Sequence, residues 1–202
     1  HTSLSLFPND CGDASPPAQG RDVGPVPPGQ GLDPEIRHDR QQPGWVDNFS
    51  RSLIAGPCKL RLLVAYTDDV DGAYADIQGF IQSAIDDHND ANDNSQVNHD
   101  VELARSMEVS YNESPDDLDV FLDDFMTDGD GKMDAVHDDR RLFDADVCVL
   151  LTLADGGACG LAGAIGASYS DAFCVTVAGC AVGNHSFAHE VGHLHGCRHD
   201  TY

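Results

Sequence analysis

The sequence predicts an α/β fold, a single mixed and twisted sheet of about five strands with one backing helix and a second helix that carries the functional site. Three observations lead to this class. Residues 59–67 form an apolar run typical of a buried strand. Residues 72–91 follow with apolar side chains at helical spacing, and later apolar runs alternate with further helical patterns. Such alternation favours helices packed on one sheet.

The first half of the predicted fold is assigned from the spacing of its apolar residues. Residues 101–111 alternate in polarity and predict a second strand. Ser114 as a cap, with Pro115 at the first helical position, predicts a helix that ends near Met126. The backing helix has one apolar face that we expect to pack into the core. This face consists of Ala73, Ile77, Phe80, Ile81, Ala84, Ile85 and His88.

The second half supplies the remaining strands and the functional helix. Residues 147–151 and 173–178 are strongly hydrophobic and predict buried strands. Residues 156–170 are rich in Gly and Ala and predict an edge strand followed by a loop. Residues 183–195 predict the helix that carries a cluster of histidines.

An Asp- and Gly-rich segment lies between the two halves. Residues 128–131 followed by Asp134 resemble half of an EF-hand calcium loop. Met126 stands where the first ligand belongs, however, and His137 where the bidentate Glu belongs. We therefore favour a solvated turn, with Ca²⁺ binding as the alternative.

The composition argues against several classes of function. The net charge is −24, from 35 acidic and 11 basic residues. Nucleic acid and anionic membrane surfaces are unfavourable partners for such a chain, because phosphate contacts need Lys and Arg. No apolar run approaches the roughly 18 residues that cross a bilayer. Because the acidic residues are mostly Asp and Lys is rare, the composition favours a salty medium, with calcium binding as the alternative.

The chemistry is concentrated near the C-terminus, in the zinc-binding signature H-E-x-x-H-x-x-G-x-x-H. Four residues span about 400° of helix, so His189 and His193 share one face and can hold one metal ion. Gly196 permits the positive φ that ends a helix, and the turn then brings His199 as a third ligand. Three protein ligands leave one position open, which is typical of a catalytic zinc site. Glu190 is the expected general base.

Two further histidines flank the signature. One ion cannot be held by residues eight apart on a helix, so His185 and His193 cannot both be ligands. We interpret His185 as a residue of the first helical turn. His195 is expected on the opposite side of the helix, where it either supports the site or faces solvent.

These residues resemble the metzincin clan of zinc endopeptidases. Asp200, directly after the third His, is similar to the reprolysin-type branch, and within that branch the chain most resembles the bacterial peptidyl-Asp metallopeptidases. The resemblance extends over residues 59–200. Its segments outside the signature are 131–137, 145–151, 159–162 and 186–188.

The resemblance implies a fold, a cofactor and a substrate site. The fold is the N-terminal subdomain of a metzincin, and the cofactor is one catalytic Zn²⁺ held by the three histidines, with Glu190 as the base. Asp200 and Gly196 steady the turn after the helix. A protein or peptide substrate would lie antiparallel along an edge strand formed by Gly160, Leu161, Ala162, Gly163 and Ala164.

The chain departs from the metzincin pattern at its C-terminus. Metzincins carry a Met-turn beyond the third His, but Met107, Met126 and Met133 all precede it. We therefore expect the C-terminal subdomain to be absent from this chain. Either that part was lost, or a C-terminal segment or a separate chain completes the site.

Residues 1–57 differ in composition from the rest, holding all but one of the 10 prolines. They predict a propeptide remnant or linker, with residues 58–202 as the catalytic domain. Cys11 plugs the open metal position as a thiolate, forms a disulfide with Cys58, or is an ordinary free thiol.

The chain has seven cysteines and no Cys-x-x-Cys spacing, which favours disulfides in an oxidising compartment. We expect Cys159 and Cys180 to be bonded, which would tie the Gly-rich segment to the loop before the functional helix. Cys174 and Cys197 are the second expected pair.

Together these features predict a secreted zinc endopeptidase, and the resemblance suggests cleavage before Asp. One alternative is an inactive zinc-binding fragment or one chain of a two-chain protease. The other is an acidic, calcium-binding secreted module.

Overall fold

The structure, a computed structural model, describes residues 58–199. A five-stranded sheet lies at its centre, and helices pack on both faces. In chain order the elements are β1 (Cys58–Thr67), α1 (Asp68–Ala73), α2 (Ile77–Asn94), β2 (His99–Val109), α3 (Leu118–Met126), α4 (Ala135–Leu142), β3 (Val147–Thr152), β4 (Gly160–Ala162), a 3₁₀ turn (Tyr169–Asp171), β5 (Phe173–Val177), α5 (Ala178–Ala181) and α6 (Ser186–Leu194).

The sheet has the strand order β2-β1-β3-β5-β4. The first four strands pair in parallel, and β4 pairs antiparallel with β5 at one edge. The predicted α/β class, with a mixed sheet of five strands, is therefore confirmed. The predicted edge strand is present as well, although it is only three residues long.

Alternation along the buried strands divides the core into two layers. In β1, Leu62 and Val64 face a layer formed with α2 and α6, whereas Leu63 and Ala65 face a layer formed with α3 and α4. All four side chains are fully buried. A parallel strand covered on both faces reads as a continuous apolar run, which is why the sequence indicated these strands so clearly.

The predicted helix over residues 72–91 is wrong at its start, because two helices occupy this part of the chain. Thr67 caps α1, its hydroxyl accepting a hydrogen bond from the Val70 amide. Asp76 caps α2 in the same way, through the amide of Gly79. Each side chain satisfies a main-chain donor that has no partner within its helix, so a new helix begins after each cap.

The predicted start of α3 is also wrong. The helix begins at Leu118, with Asp117 as its cap, and not at Pro115. The Asp117 carboxylate accepts a hydrogen bond from the amide of Asp119. Ser114 is not a cap, and the peptide bond between Ser114 and Pro115 is cis.

The Asp- and Gly-rich segment before α4 forms a turn whose carboxylates have protein partners. Asp134 accepts hydrogen bonds from the amides of Gly129 and Gly131, at 2.9 and 3.1 Å. Asp130 accepts from the amide of Lys132 at 2.9 Å. Because these oxygens already bind main-chain donors, the described residues favour the turn over the calcium loop.

Two sequence expectations fall outside the described part of the chain. The propeptide or linker assigned to residues 1–57 lies there, and so does the pairing of Cys11. Among residues 58–199, no helix is both long enough and apolar enough to cross a lipid bilayer.

Candidate metal centre

Helix α6 presents the signature residues, and its start differs from the prediction. The helix begins at Ser186, three residues later than expected, and His185 precedes it with a φ of 56°. His185 Nδ1–H donates to Asp87 Oδ2 at 2.6 Å, which ties the start of α6 to helix α2. His185 therefore lies outside the helix and outside the histidine cluster.

The end of α6 is built by Gly196. Its φ of 101° lies in the left-handed region, as expected. The amide of Gly196 donates to the carbonyl of His193, and the amide of Cys197 donates to that of Gly192. This pair of hydrogen bonds is a Schellman motif, which reverses the chain direction and returns His199 to the helix face.

The structure brings three imidazole nitrogens together. His189 Nε2 lies 2.9 Å from His199 Nε2, and His193 Nε2 lies 3.1 Å from that same atom. The three atoms lie within 4.8 Å of one another, and they form the only set of His, Cys, Asp or Glu side chains in the described residues with this spacing. These are the three residues that the sequence predicts as ligands.

The cluster fits a zinc ion in spacing and in the chemistry of its donor atoms. A tetrahedral ion with bonds of about 2.0–2.1 Å separates its donor atoms by about 3.3 Å, within a few tenths of an ångström of the two short spacings. His193 Nδ1–H donates to the Cys197 carbonyl at 2.9 Å, which leaves the Nε2 lone pair for the cluster. Burial lowers the pKa of His189, and the neighbouring rings of His193 and His199 add to the effect. A neutral imidazole is the form that binds a metal.

Glu190 lies beside the cluster and is 6% exposed. Burial raises the pKa of its carboxyl group, and the nearby His193 ring partly offsets this effect. A raised pKa makes the carboxylate a better proton acceptor near neutral pH. Its location and its chemistry therefore suit the predicted role of general base.

An open cleft of about 510 Å³ leads from β4 to the histidines. Of the predicted edge residues, Gly163 does not line the cleft. Its amide donates to the Phe173 carbonyl of β5, and a Cβ atom on Gly163 would meet the backbone oxygens of Asp171 and Phe173. The residues that line the cleft beside the three histidines and Glu190 are Cys159, Gly160, Leu161, Ala162, Ala164, Ile165, Asn184 and Ser186.

The expected disulfide between Cys159 and Cys180 is present, with the Cα atoms 5.6 Å apart. It joins the residue before β4 to helix α5. The expected bond between Cys174 and Cys197 is wrong, since both thiols are free. Cys174 is fully buried in the centre of β5, whereas Cys197 is exposed in the turn after α6, so the two side chains lie in different environments.

His195 lies on the opposite side of α6 from the cluster, as expected, but it does not face solvent. Its ring packs edge-on against His99, with centroids 4.7 Å apart, and lies 6.5 Å from that of His88. Burial lowers the pKa of both His88 and His195 to about 4. The three rings join α6 to the backing helix α2 and to β2.

Two features of the site were not predicted from the sequence. The Cys197 carbonyl orients His193, and a glycine at the C-terminus of a helix is a sequence signal that could have indicated this turn. The contact between Gly160 and Glu190 joins residues that are 30 positions apart in the sequence. No local pattern marks it. Asp200 lies outside the described residues.

Comparison with known proteins identifies the family. The chain belongs to metallo-peptidase family M12, whose model matches residues 57–202. It is 38% identical over 146 residues to a peptidyl-Asp metalloendopeptidase of Xanthomonas campestris, and 39% identical over 145 residues to one of Stenotrophomonas maltophilia. These matches cover 72% and 71% of this chain but only 34% of each relative, so the chain spans about a third of their length.

Two solved structures resemble the fold. Metalloproteinase-II from Bacteroides fragilis has a TM-score of 0.50 at 17% identity, over 72% of this chain and 44% of its own. A chain of a chaperone-substrate complex has a TM-score of 0.59 at 19% identity, over 69% of this chain and 23% of its own. At these identities the likeness concerns the fold alone, and it agrees with the predicted metzincin-like subdomain.

Proposed function

We propose that this chain is the zinc-binding part of a secreted endopeptidase that hydrolyses peptide bonds in proteins or peptides. The observation that carries the proposal is the convergence of three Nε2 atoms beside a buried carboxylate at the end of an open cleft. His189, His193 and His199 would hold the zinc. Membership of a metallopeptidase family and the names of the relatives support this reading.

Each residue of the site has a separate role in hydrolysis. Zinc, when bound, supplies a Lewis acid that polarises a carbonyl group and increases the acidity of water. The Glu190 carboxylate accepts a proton from the attacking water and delivers it to the leaving amine. The Cys197 carbonyl keeps His193 in the tautomer that a ligand needs.

The free edge of β4 is the proposed substrate site. Cys159 and Gly163 use their main-chain groups to pair with β5, through Val177 N–H and the Phe173 carbonyl. Since main-chain groups alternate in direction along a strand, those of Gly160 and Ala162 point to the open side. An extended peptide can pair there in the antiparallel direction, as an added strand does.

Cleavage at Asp is a finer proposal, supported by the relatives' name, peptidyl-Asp metalloendopeptidase. Within the described residues, no Lys or Arg lines the cleft. We therefore assign recognition of an acidic side chain to a basic group that has yet to be located. Secretion is likewise a proposal, which the disulfide between Cys159 and Cys180 supports.

Metal analysis combined with one isosteric substitution tests the proposal. We expect one zinc per chain and chelator-sensitive cleavage of casein by the protein as its gene encodes it. Glu190→Gln should retain the zinc and lose at least about 10²-fold in kcat, since it removes the base and no ligand. His193→Ala is the matched control, which should lose the zinc as well. Full activity in Glu190→Gln, or wild-type protein without zinc, would contradict the proposal.

A further inference from the structure

Packing, and not hydrogen bonding, holds Glu190 in position. Within residues 58–199, the structure shows no hydrogen bond to its carboxylate, although the residue is 6% exposed. Its side chain lies instead against the main chain of Gly160, the first residue of β4. The neighbour across this contact therefore determines where the carboxylate sits.

Gly160 leaves the space that the Glu190 side chain occupies. A Cβ atom on Gly160 would lie 2.6 Å from Cγ, 2.8 Å from Oε1 and 2.9 Å from Cδ of Glu190. Ordinary contacts of a Cβ atom begin at 3.4 Å. A methyl group at this position would therefore move the Glu190 side chain by roughly 0.8 Å, or move the strand by a similar distance.

The backbone of Gly160 does not itself require glycine. Gly160 is not among the glycines with positive φ, and it lies in a regular strand that alanine also adopts. Its main-chain groups point to the open edge, so a methyl group would leave them available to a substrate. Glycine at position 160 is therefore explained by the room that Glu190 needs. Neither a turn nor the strand pairing requires it.

We propose that Gly160 is a positioning residue for the general base, because its missing side chain forms the slot that aims the Glu190 carboxylate at the metal centre. The inference rests on the proposed function. Strand β4 would then have two roles. It would pair with the substrate, and it would set the position of Glu190 relative to that substrate.

Measuring kcat and KM of the Gly160→Ala variant, made in the whole protein that the gene encodes, tests the proposal. A displacement of this size should lower kcat by about 10²-fold, while KM stays within about threefold and one zinc stays bound. Gly179→Ala in α5 is the matched control, because a Cβ there meets nothing within 4 Å. It should behave as wild type. Unchanged kcat in Gly160→Ala, or a loss of zinc in parallel with activity, overturns the proposal.

A double-mutant cycle on stability tests the same contact without any assay of activity. Glu190→Ala removes the three atoms that would lie nearest to the new methyl group, Cγ, Oε1 and Cδ of Glu190. The unfolding midpoint in urea should therefore fall when Gly160→Ala is made in wild type, and fall much less when it is made in Glu190→Ala. Equal falls in the two backgrounds overturn the proposal, even where Gly160→Ala alone folds poorly. Wild-type protein that binds no zinc would instead contradict the proposed function, and the cycle would still report on the slot.

Discussion

At the scale of single residues, the arrangement of the candidate site depends on main-chain geometry as much as on the histidines themselves. His189 and His193 share a helix face whatever follows them, but His199 reaches them only because Gly196 reverses the chain. The same turn places the Cys197 carbonyl where it fixes the tautomer of His193. The position of the third candidate ligand, His199, and the orientation of the second, His193, therefore depend on one glycine.

Gly196→Ala should weaken zinc binding without touching any ligand. Its Cβ would meet nothing closer than 3.9 Å, so the cost is the positive φ alone, about 1–2 kcal/mol. Part of that strain is relieved by moving His199 away from the other two rings, which we expect to raise the zinc Kd about tenfold in a chelator competition. Gly72→Ala, at an open position without positive φ, is the control and should leave Kd unchanged. Equal Kd values in wild type and Gly196→Ala would contradict this account.

The buried ring of His88 should make the protein sensitive to acid. Burial lowers its pKa to about 4, with a contribution from His99 that Asp87 partly offsets. Because the unfolded chain binds a proton near pH 6.5 and the folded one only near pH 4, stability is lost as the pH falls through this window. The loss for this ring is on the order of 3 kcal/mol, complete below about pH 4.

His88→Leu is the variant that isolates this effect. Both ring nitrogens of His88 are buried without hydrogen-bond partners in the described residues, so an apolar side chain should be tolerated at neutral pH. Urea unfolding at pH 4.5 to 8 should show a shallower pH dependence in His88→Leu than in wild type. Parallel curves would show that His88 does not carry the acid sensitivity.

At the scale of elements, the strands and helix α6 could be predicted because their signals are local. Strands buried on both faces read as apolar runs, and two ligands four residues apart need only one helix. Helix α4 could not be predicted, because the side chains that it buries include His137 and Arg140. Arg140 reaches the core by placing its guanidinium over the Tyr169 and Phe173 rings, 3.7 and 4.7 Å from their centroids. That environment exists only in the folded chain.

The residues of the site likewise fall into those that a local sequence pattern predicts and those that depend on the folded chain. The three histidines and Glu190 could be named from their spacing, and the edge strand from its composition and the family resemblance. The slot at Gly160 and the false pair of Cys174 and Cys197 could not be settled, because each depends on which strand neighbours which. Cys174 is fully buried in the core layer beneath helix α6, with Val191, whereas Cys197 lies exposed in the turn after that helix.

The disulfide between Cys159 and Cys180 should stabilise β4, the strand proposed to pair with the substrate. It closes a loop with a sequence separation of 21, for which the expected contribution to unfolding free energy is about 3 kcal/mol. Replacing both residues by Ser should lower stability by about that amount and speed amide hydrogen exchange in β4. Cys197→Ser, which removes an exposed free thiol, is the control. Unchanged exchange in β4 would show that strand pairing alone holds this edge.

At the scale of the whole molecule, the dominant property is a net charge of −24. Many acidic side chains of the described residues are exposed, among them Asp68 and Asp69 in α1 and Asp90 and Asp93 in α2. Repulsion among them opposes the compact state, and salt screens it over about 10 Å at 0.1 M. We therefore expect the unfolding free energy to rise with NaCl between about 0.05 and 1 M, in line with the salty medium that the composition favours.

Two matched pairs of substitutions show whether this salt effect comes from specific charges. Asp90 and Asp93 lie in the last turns of α2, which has no basic residue there to offset them, whereas Asp68 and Asp69 lie in the first turn of α1. A negative charge is unfavourable at a helix C-terminus and favourable at an N-terminus. Asp90→Asn with Asp93→Asn should therefore raise the unfolding free energy at low salt by about 0.5–1 kcal/mol, and the gain should vanish near 1 M NaCl. The pair Asp68→Asn and Asp69→Asn removes the same amount of charge. It should raise the unfolding free energy by less, or lower it. Equal gains from both pairs would mean that net charge alone sets the salt response, and a wild-type stability that does not rise with NaCl would refute self-repulsion as its cause.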